Sequence, residues 1–301
     1  MKVVVGTRGS KLALTQSQWV VSQLEACNPE VEFQIKIIKT KGDMIQNIPL
    51  DKIGDKGIFV KEIEQQLLDG EIDLAIHSMK DMPSEVCPGL MFTYTPVRED
   101  PRDVLILKHP IENLEELPKG ARIGTGSKRR KYQLLAQRPD LHIEPIRGNI
   151  DTRISKIETE HLDGIVLASA GVRRLGREEE IGYYLSVDEM IPAPAQGALA
   201  IEIREQDERI YNLIRPIEDI KTQIQVEAER AFLSGVDGSC HLPIGAYATS
   251  EEENLCLTGL LGDEEGTKLV KQEIKGKCNS IEEARNLGLE LASRVIKELK
   301  R

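Results

Sequence analysis

The stretch VVVGTRGSKLALTQSQWVVSQLEA, residues 3–26, decides the fold of this chain. It begins with an apolar, strand-like run at 3–5, passes through a loop of glycine, threonine, arginine and serine, and continues as a helix-like segment to about Ala26. A strand, a loop and a helix in this order are typical of a βαβ unit and of a mostly parallel sheet. The sequence therefore predicts an α/β fold.

The same alternation extends through the first two thirds of the chain. It pauses near 95–101 and starts again at Val104, which indicates two α/β domains of the doubly wound type. The further predicted strands are 31–38, 72–76, 104–107, 121–124, 141–146 and 164–168, and the further predicted helices are 58–68, 127–137 and 149–161.

Two proline-bearing connections, TPVREDP at 95–101 and IPAPAQG at 191–197, separate these domains. A chain that crosses twice returns to its first domain, here with a strand at about 198–203. The two crossings therefore predict a hinge between two lobes.

The C-terminal part has a different pattern from about Pro216 onward. A helix at 220–233 and a glycine loop at 235–240 precede three strand-like runs near 244–249, 255–261 and 268–274 and a helix from about 281. We therefore expect a small α+β domain with an antiparallel sheet and helices. The predicted domains are 1–97 with 198–216, then 102–192, then 217–301.

Composition excludes several classes of protein. The 301-residue chain has 40 Lys and Arg against 50 Asp and Glu, so its net charge is −10, and its basic run at 128–131 is isolated; we expect no nucleic-acid partner. The N-terminal apolar run is too short for a signal peptide and none approaches the ~20 residues of a membrane span, which predicts a cytoplasmic protein without membrane contact. Five scattered cysteines predict reduced thiols and no metal site.

Arginines cluster in short loops of small residues just after predicted strands. They are Arg8 in GTRGS, Arg129 and Arg130 in GTGSKRR, and Arg147 and Arg153 in RGNIDTR. A guanidinium binds carboxylate or phosphate with two parallel hydrogen bonds, and a helix start adds backbone N–H donors. The repetition predicts a ligand with several anionic groups, either phosphates or carboxylates.

Two further residues are candidates for chemistry. Asp81, in HSMKDMP, follows a predicted buried strand and precedes Pro83, so we expect it on a rigid turn; a helix N-cap or an ion pair with Lys80 is the alternative. Cys240 lies in the small-residue loop GVDGSCHLPIG, where an accessible thiolate could form a stable thioether; an inert, buried thiol is the alternative.

The chain resembles the porphobilinogen deaminase family, also called hydroxymethylbilane synthase, over nearly its whole length. The resemblance rests on an ordered set of motifs, which together are highly specific. They are GTRGS (6–10), DKGIFVKEIE (55–64), HSMKDMP (77–83), REDPRD (98–103), GTGSKRR (124–130), RGNIDTR (147–153), AGVRRLG (170–176), PAPAQGA (192–198), AERAF (228–232) and GSCHLPIG (238–245). One departure is TGSK at 125–128, where many members of the family have TSSL.

The resemblance implies three domains, of which the first two are related to periplasmic binding proteins. It implies a transferase of porphyrin and haem biosynthesis that condenses four porphobilinogen molecules head to tail, with loss of ammonia, on a covalent dipyrromethane primer. The product would be hydroxymethylbilane, passed on to uroporphyrinogen-III synthase. It also implies a monomer in the cytoplasm.

The resemblance assigns roles to individual residues. Cys240 would carry dipyrromethane through a thioether, and Asp81 would be the catalytic carboxylate that stabilises positive charge developing on the pyrrole. The implied cofactor contacts are Ser10, Ser78, Lys80, Asp81, Thr125, Ser127, Arg129, Arg130, Arg147, Gly148, Asn149, Gln196 and Gly197; the implied substrate contacts are Arg8, Ser10, Arg147, Arg153, Ala168, Arg174 and Gln196; and the implied lid loop contains Lys52, Lys56 and Phe59.

Two other classes of protein fit parts of the pattern. A non-catalytic anion-binding protein with two lobes and a hinge would also have arginine loops and two crossings. An enzyme with a phosphorylated ligand is less compatible, since the chain lacks the pattern G-x-x-x-x-G-K-[ST].

Overall fold

Three sheets and the helices around them make up the described part of the chain, residues 1–40, 42, 60–237 and 242–301 of a computed structural model. The strands are β1 Lys2–Arg8, β2 Glu32–Ile38, β3 Leu74–Ser78, β4 Leu90–Phe92, β5 Asp103–Leu107, β6 Arg122–Gly124, β7 His142–Glu144, β8 Gly164–Ala168, β9 Ile181–Tyr184, β10 Leu199–Arg204, β11 Ile244–Glu251, β12 Asn254–Gly262 and β13 Leu269–Lys277. The helices are α1 Lys11–Cys27, α2 Lys61–Leu68, α3 Lys128–Gln137, α4 Ile150–Thr159, α5 Ser169–Arg174, α6 Glu208–Ile214, α7 Ile220–Gly235 and α8 Ile281–Leu299.

The chain divides into two compact units. One comprises Met1–Glu99 and Ala198–Ile224, and the other comprises Asp100–Gly197 and Gln225–Arg301. The second unit contains both an α/β sheet and the C-terminal sheet. The division into three domains stays a prediction.

The first unit is built on a five-stranded sheet in the order β2-β1-β3-β10-β4. Helix α1 begins where Ser10 accepts a hydrogen bond from the Ala13 amide, and its buried side chains Val20 and Leu24 pack on one face of the sheet. Helix α2 packs on the other face through Ile63 and Leu67. Each fully buried Leu or Val stabilises the fold by roughly 1.5–3 kcal/mol relative to exposure.

The second unit has a sheet of the same design, in the order β7-β6-β8-β5-β9. Leu134 of α3 packs on one face, while Ile157 of α4 and Val172 of α5 pack on the other. Helices therefore cover both faces of both sheets, which confirms the doubly wound α/β class.

The prediction of mostly parallel sheets was wrong for half of the strand pairs. In the first sheet β1 pairs in parallel with β2 and β3, but β10 runs antiparallel to both β3 and β4. In the second sheet β6 pairs in parallel with β7 and β8, but β5 runs antiparallel to β8 and β9. Because β5 and β10 are not joined to their neighbours by a crossover helix, the βαβ rule does not set their direction.

The C-terminal sheet is antiparallel, in the order β11-β12-β13, and helices α7 and α8 belong to this part of the chain, as predicted. Phe232 of α7 is fully buried. Two glycines allow the close approach of these elements: a Cβ on Gly259 would lie 2.5 Å from the Phe232 ring, and one on Gly288 would lie 2.3 Å from the Ala228 carbonyl oxygen. The small α+β architecture is therefore confirmed.

Candidate functional site

The parallel strands of the first unit end at one edge of its sheet, and the predicted residues follow those ends. Arg8 is the last residue of β1, and Ser10 caps α1 by accepting a hydrogen bond from the Ala13 amide over 3.2 Å. Ser78 is the last residue of β3, and its Oγ lies 3.0 Å from Nε2 of Gln16. Because β1 and β3 are neighbours, these loops share the edge at which open α/β sheets bind ligands.

Asp81 ends a single 3-10 turn, Met79–Asp81, directly after β3. The turn is anchored on both sides, since Met79 and Met82 are only 3% and 4% exposed. The Met79 amide donates to the Ala198 carbonyl over 3.0 Å, and the Met82 amide donates to the Met79 carbonyl over 3.1 Å. The Asp81 side chain itself is exposed. A carboxylate is thus presented from a fixed turn, and Ser78, not Asp81, occupies the N-cap position.

His77, next to this turn, is a buried and paired histidine. Its Nε2 lies 3.1 Å from Oε2 of Glu202 on β10, and the two side chains are 4% and 0% exposed. Glu64 of α2 interacts electrostatically with both groups. Burial and the charge of Glu202 raise the pKa of Glu64 above its ordinary value, while His77 and Lys61 lower it by a smaller amount. The buried pair of His77 and Glu202 therefore links β3 to β10 just before the turn that carries Asp81.

The raised pKa of Glu64 gives a testable stability effect. Because the folded state disfavours the ionised Glu64, the contribution of Glu64 to stability is greatest below the ordinary glutamate pKa of 4.5 and is lost as pH rises through the folded pKa. We expect Glu64→Gln to raise the thermal midpoint at pH 7, with a gain that disappears at about pH 4. Circular dichroism melts at both pH values measure it. Glu25→Gln, at an exposed position of α1, is the control; equal gains at both pH values would contradict the prediction.

In the second unit, three parallel strands end beside predicted ligand residues. After β6, the Thr125 amide donates to the Glu144 carbonyl over 2.8 Å, and Ser127 caps α3. After β7, Gly148 has a φ of 116° and Asn149 caps α4 by accepting from the Thr152 amide over 2.8 Å. Ala168 ends β8 and is the N-cap residue of α5. The sheet brings these three loops to one edge, with two capped helix starts among them.

The departure at Gly126 has a steric explanation. A Cβ at this position would lie 2.8 Å from the Ile146 carbonyl oxygen, which is closer than real Cβ contacts allow. Glycine therefore lets the loop after β6 pass against the backbone that leads to Arg147. Only the backbone of Gly126 is available to a ligand.

Arg129 and Arg130 are buried and share one carboxylate, that of Asp103 at the start of β5. Arg129 Nη1 donates to Asp103 Oδ2 over 2.6 Å, and Arg130 Nη2 donates to Oδ1 over 2.7 Å. Burial alone would raise the pKa of Asp103, but the two guanidinium charges outweigh it and hold that pKa well below its ordinary value. Sequence reasoning missed Asp103, although it is the last residue of the REDPRD motif.

The loop at 192–197 brings two more predicted residues to the second unit. Gln196 is fully buried, and its Nε2 donates to the Pro101 carbonyl over 2.8 Å and to Asp103 Oδ1 over 2.9 Å. Gly197 has a φ of 90°, and its carbonyl accepts a hydrogen bond from Arg174 Nη2 over 2.8 Å. Gln196 thus joins the cluster around Asp103.

Arg147 has an unsatisfied hydrogen-bond donor. Its Nη1 is buried and finds no acceptor within the part of the chain that the structure describes. A buried N–H group without an acceptor costs free energy, and an incoming carboxylate would relieve that cost. Arg153 lies further along the chain, in α4.

Some predicted residues lie outside the described residues. They are Cys240, the predicted thioether position, and Lys52, Lys56 and Phe59 of the predicted lid loop. Across 1–40, 60–237 and 242–301, no cluster of three His, Cys, Asp or Glu side chains is arranged to hold a metal ion. Among the helices of this same part of the chain, none combines the length and apolarity that crossing a bilayer requires.

Comparison with known proteins gives two family matches. Residues 3–212 match "Porphobilinogen deaminase, dipyromethane cofactor binding domain", and residues 223–297 match "Porphobilinogen deaminase, C-terminal domain". The chain is 59% identical to the porphobilinogen deaminase of Clostridioides difficile strain 630 over 298 residues, which is 99% of this chain and 98% of that one. It is 56% identical to that of Clostridium novyi strain NT over 302 aligned positions, 99% of this chain and 100% of that one.

Among solved structures, the chain is similar to a probable amino-acid ABC transporter extracellular-binding protein from Bacillus subtilis. The TM-score is 0.44 and the sequence identity 12%, with 72% of this chain and 90% of that chain covered.

Proposed function

The chain belongs to the porphobilinogen deaminase family, and from this membership we propose how its residues perform the reaction of that family. The enzyme is a transferase of tetrapyrrole biosynthesis that joins four porphobilinogen molecules head to tail, releases ammonia and yields hydroxymethylbilane. We propose that the residues that hold the growing pyrrole chain lie at the ends of the parallel strands, in the loops and helices that follow them, and in the loop before β10.

The residues present fit a dipyrromethane group. Each pyrrole carries an acetate and a propionate, so the ligand has two carboxylate groups on every ring. Arg147 supplies a buried Nη1 that lacks an acceptor in the described chain, and Ser127 and Asn149 begin helices whose N-termini favour anions. When bound, dipyrromethane supplies the primer onto which pyrroles are added, and we propose Cys240 as its attachment point.

Asp81 is the proposed catalytic residue, and its placement carries the mechanistic proposal. Loss of ammonia from the aminomethyl group of porphobilinogen leaves positive charge on the pyrrole ring. A fixed carboxylate near the ring nitrogen lowers the energy of that state without having to reorganise. Two buried methionines, Met79 at the start of the turn and Met82 just after it, fix the backbone of Asp81, while its exposed side chain is accessible to substrate.

The arginines offset the negative charge of the bound pyrrole oligomer at the places where its carboxylates lie. The protein has a net charge of −10, but screening over ~8 Å weakens the effect of its distant acidic surface. Guanidinium groups act at contact distance and hold carboxylates with two parallel hydrogen bonds. The proposed set is Arg8, Arg129, Arg130, Arg147, Arg153 and Arg174, with Ser10, Ser78, Lys80, Thr125, Ala168, Gln196 and Gly197 as further contacts.

Arg147→Lys tests the role of the two-point contact. Lysine keeps the charge but cannot make two parallel hydrogen bonds, so we expect about a tenfold loss in kcat/KM, the equivalent of one charge-assisted hydrogen bond. Intermediates with fewer than four added pyrroles should accumulate. Steady-state kinetics and intact-protein mass spectra after brief exposure to porphobilinogen measure both effects.

Arg122→Lys is the matched control for this variant. Arg122 begins β6, whereas the proposed ligand loops follow strand ends, and its guanidinium binds Glu144. We expect its kinetics to match the unsubstituted enzyme. Equal behaviour of the Arg147 and Arg122 variants would contradict the proposal for Arg147.

The whole assignment is tested on the purified protein with porphobilinogen as the only substrate. We expect a covalent adduct on the chain in the intact mass, release of ammonia, and a linear tetrapyrrole in the ratio of four ammonia molecules to one product. A chain that binds porphobilinogen but releases no ammonia would be an anion-binding protein, and the proposed reaction would be wrong.

The setting of the enzyme is also part of the proposal. We propose that it is a monomer, and that it lies in the cytoplasm, a reducing compartment that suits five scattered cysteines. We also propose that hydroxymethylbilane passes to uroporphyrinogen-III synthase.

A further inference from the structure

Three side chains predicted to contact the ligand converge on one buried carboxylate. Arg129 and Arg130 come from the first turn of α3, and Gln196 comes from the loop before β10. All three bind Asp103, which is fully buried at the start of β5. We infer that Asp103 is a positioning residue that holds these side chains in one fixed arrangement for an acid group of the bound pyrrole chain. This inference rests on the proposed function.

Each guanidinium of the cluster donates hydrogen bonds to two different acceptor groups, the Asp103 carboxylate and a backbone carbonyl. Arg129 uses Nη1 for Asp103 and for the Ile191 carbonyl, at 2.6 and 2.7 Å. Arg130 uses Nε and Nη2 for Asp103 Oδ1, at 3.0 and 2.7 Å, and Nη1 for the Val166 carbonyl, at 3.0 Å. A guanidinium that is hydrogen-bonded to two acceptor groups has lost its rotational freedom before a ligand arrives.

The cluster keeps donors and charge for a ligand. Arginine has five N–H donors, and the contacts of Arg129 with Asp103 and Ile191 involve only Nη1, which leaves Nε and Nη2. Two guanidinium charges against one carboxylate charge give the three groups a net charge of +1. Asp103 therefore orients the arginines and offsets their mutual repulsion while the pair remains cationic.

A second ion pair in the same unit provides a control of similar chemistry. Arg138, 9% exposed, follows the other end of α3; its Nε and Nη2 donate to Asp140 at 2.8 and 2.9 Å, and its Nη1 donates to the Leu114 carbonyl at 2.6 Å. None of these residues belongs to the proposed ligand loops. Asp140→Asn therefore weakens an arginine–aspartate contact without touching the proposed site.

The experiment compares Asp103→Asn with Asp140→Asn at a temperature at which thermal melts show both variants folded. We expect Asp103→Asn to lose about tenfold to a hundredfold in kcat/KM, the range for a misplaced binding group, and to accumulate partly elongated chains. Asp140→Asn should lose stability but keep kcat/KM within about twofold, as for a substitution remote from the site. Normal kcat/KM in folded Asp103→Asn would overturn the inference.

Asp103→Glu covers the case in which the asparagine variant does not fold. It keeps the charge that balances two arginines but adds one methylene group, so it displaces them. We expect a folded protein with kcat/KM still lowered about tenfold; full activity would overturn the positioning role. If the unsubstituted enzyme forms no tetrapyrrole, the proposed function fails, whereas an active enzyme with an active Asp103→Asn variant refutes this inference alone.

Discussion

Cys240→Ala should fold normally and make no hydroxymethylbilane. The described elements nearest to Cys240 in the chain are α7, which ends at Gly235, and β11, which begins at Ile244; we expect both to form without the Cys240 thiol. Without the thioether there is no primer to extend. Intact mass should show the bare chain, and product formation should fall below detection.

Cys256→Ala is the matched control. Burial and, to a smaller extent, a hydrogen bond with Glu273 raise the pKa of the Cys256 thiol. Little nucleophilic thiolate therefore forms there at neutral pH. We expect this variant to carry the covalent adduct and to turn over normally. Normal tetrapyrrole synthesis by Cys240→Ala would show that the primer is attached elsewhere or is not required.

Asp81→Asn should keep both the fold and the covalent primer but lose turnover by about a hundredfold or more, the range for removal of one electrostatic contact to a developing charge. The amide has the shape of the carboxylate and lacks its charge. Because the Asp81 side chain is exposed, the thermal midpoint should change little. Single-turnover release of ammonia measures the chemical step, and a melt measures the fold.

Asp69→Asn supplies the comparison for Asp81→Asn. Asp69 is an exposed aspartate just after α2, where its carboxylate accepts a hydrogen bond from Gln65 that asparagine can also accept. We expect its ammonia release to be unaffected. If Asp81→Asn releases ammonia as fast as Asp69→Asn, the Asp81 carboxylate does not stabilise the cation.

Local sequence signals predicted the elements that surround the site. The strand predicted at 164–168 is observed as Gly164–Ala168, and the helices predicted from 127 and 149 begin after their caps Ser127 and Asn149. These features depend on apolar runs and on cap residues, which lie close together in the chain. The loops of the proposed site could therefore be placed from the amino-acid sequence alone.

Strand direction and long-range pairing could not be predicted in this way. β4 and β9 have three and four residues, too few for a period to emerge, and β10 pairs with strands made far earlier in the chain. Asp103 was missed for the same reason, since its partners lie 26, 27 and 93 positions away. Only the folded sheet brings them together.

The position of β10 between β3 and β4 has a consequence for synthesis on the ribosome. More than a hundred residues separate Phe92, which ends β4, from Leu199, which begins β10. At ~5–20 residues per second, the nascent polypeptide waits roughly 5 to 20 seconds with two unpaired strand edges before the intervening strand is translated. The unpaired N–H and C=O groups of such edges can pair with another polypeptide, which leads to aggregation. The order of translation, and not the final stability alone, therefore sets how long this sheet needs protection by chaperones.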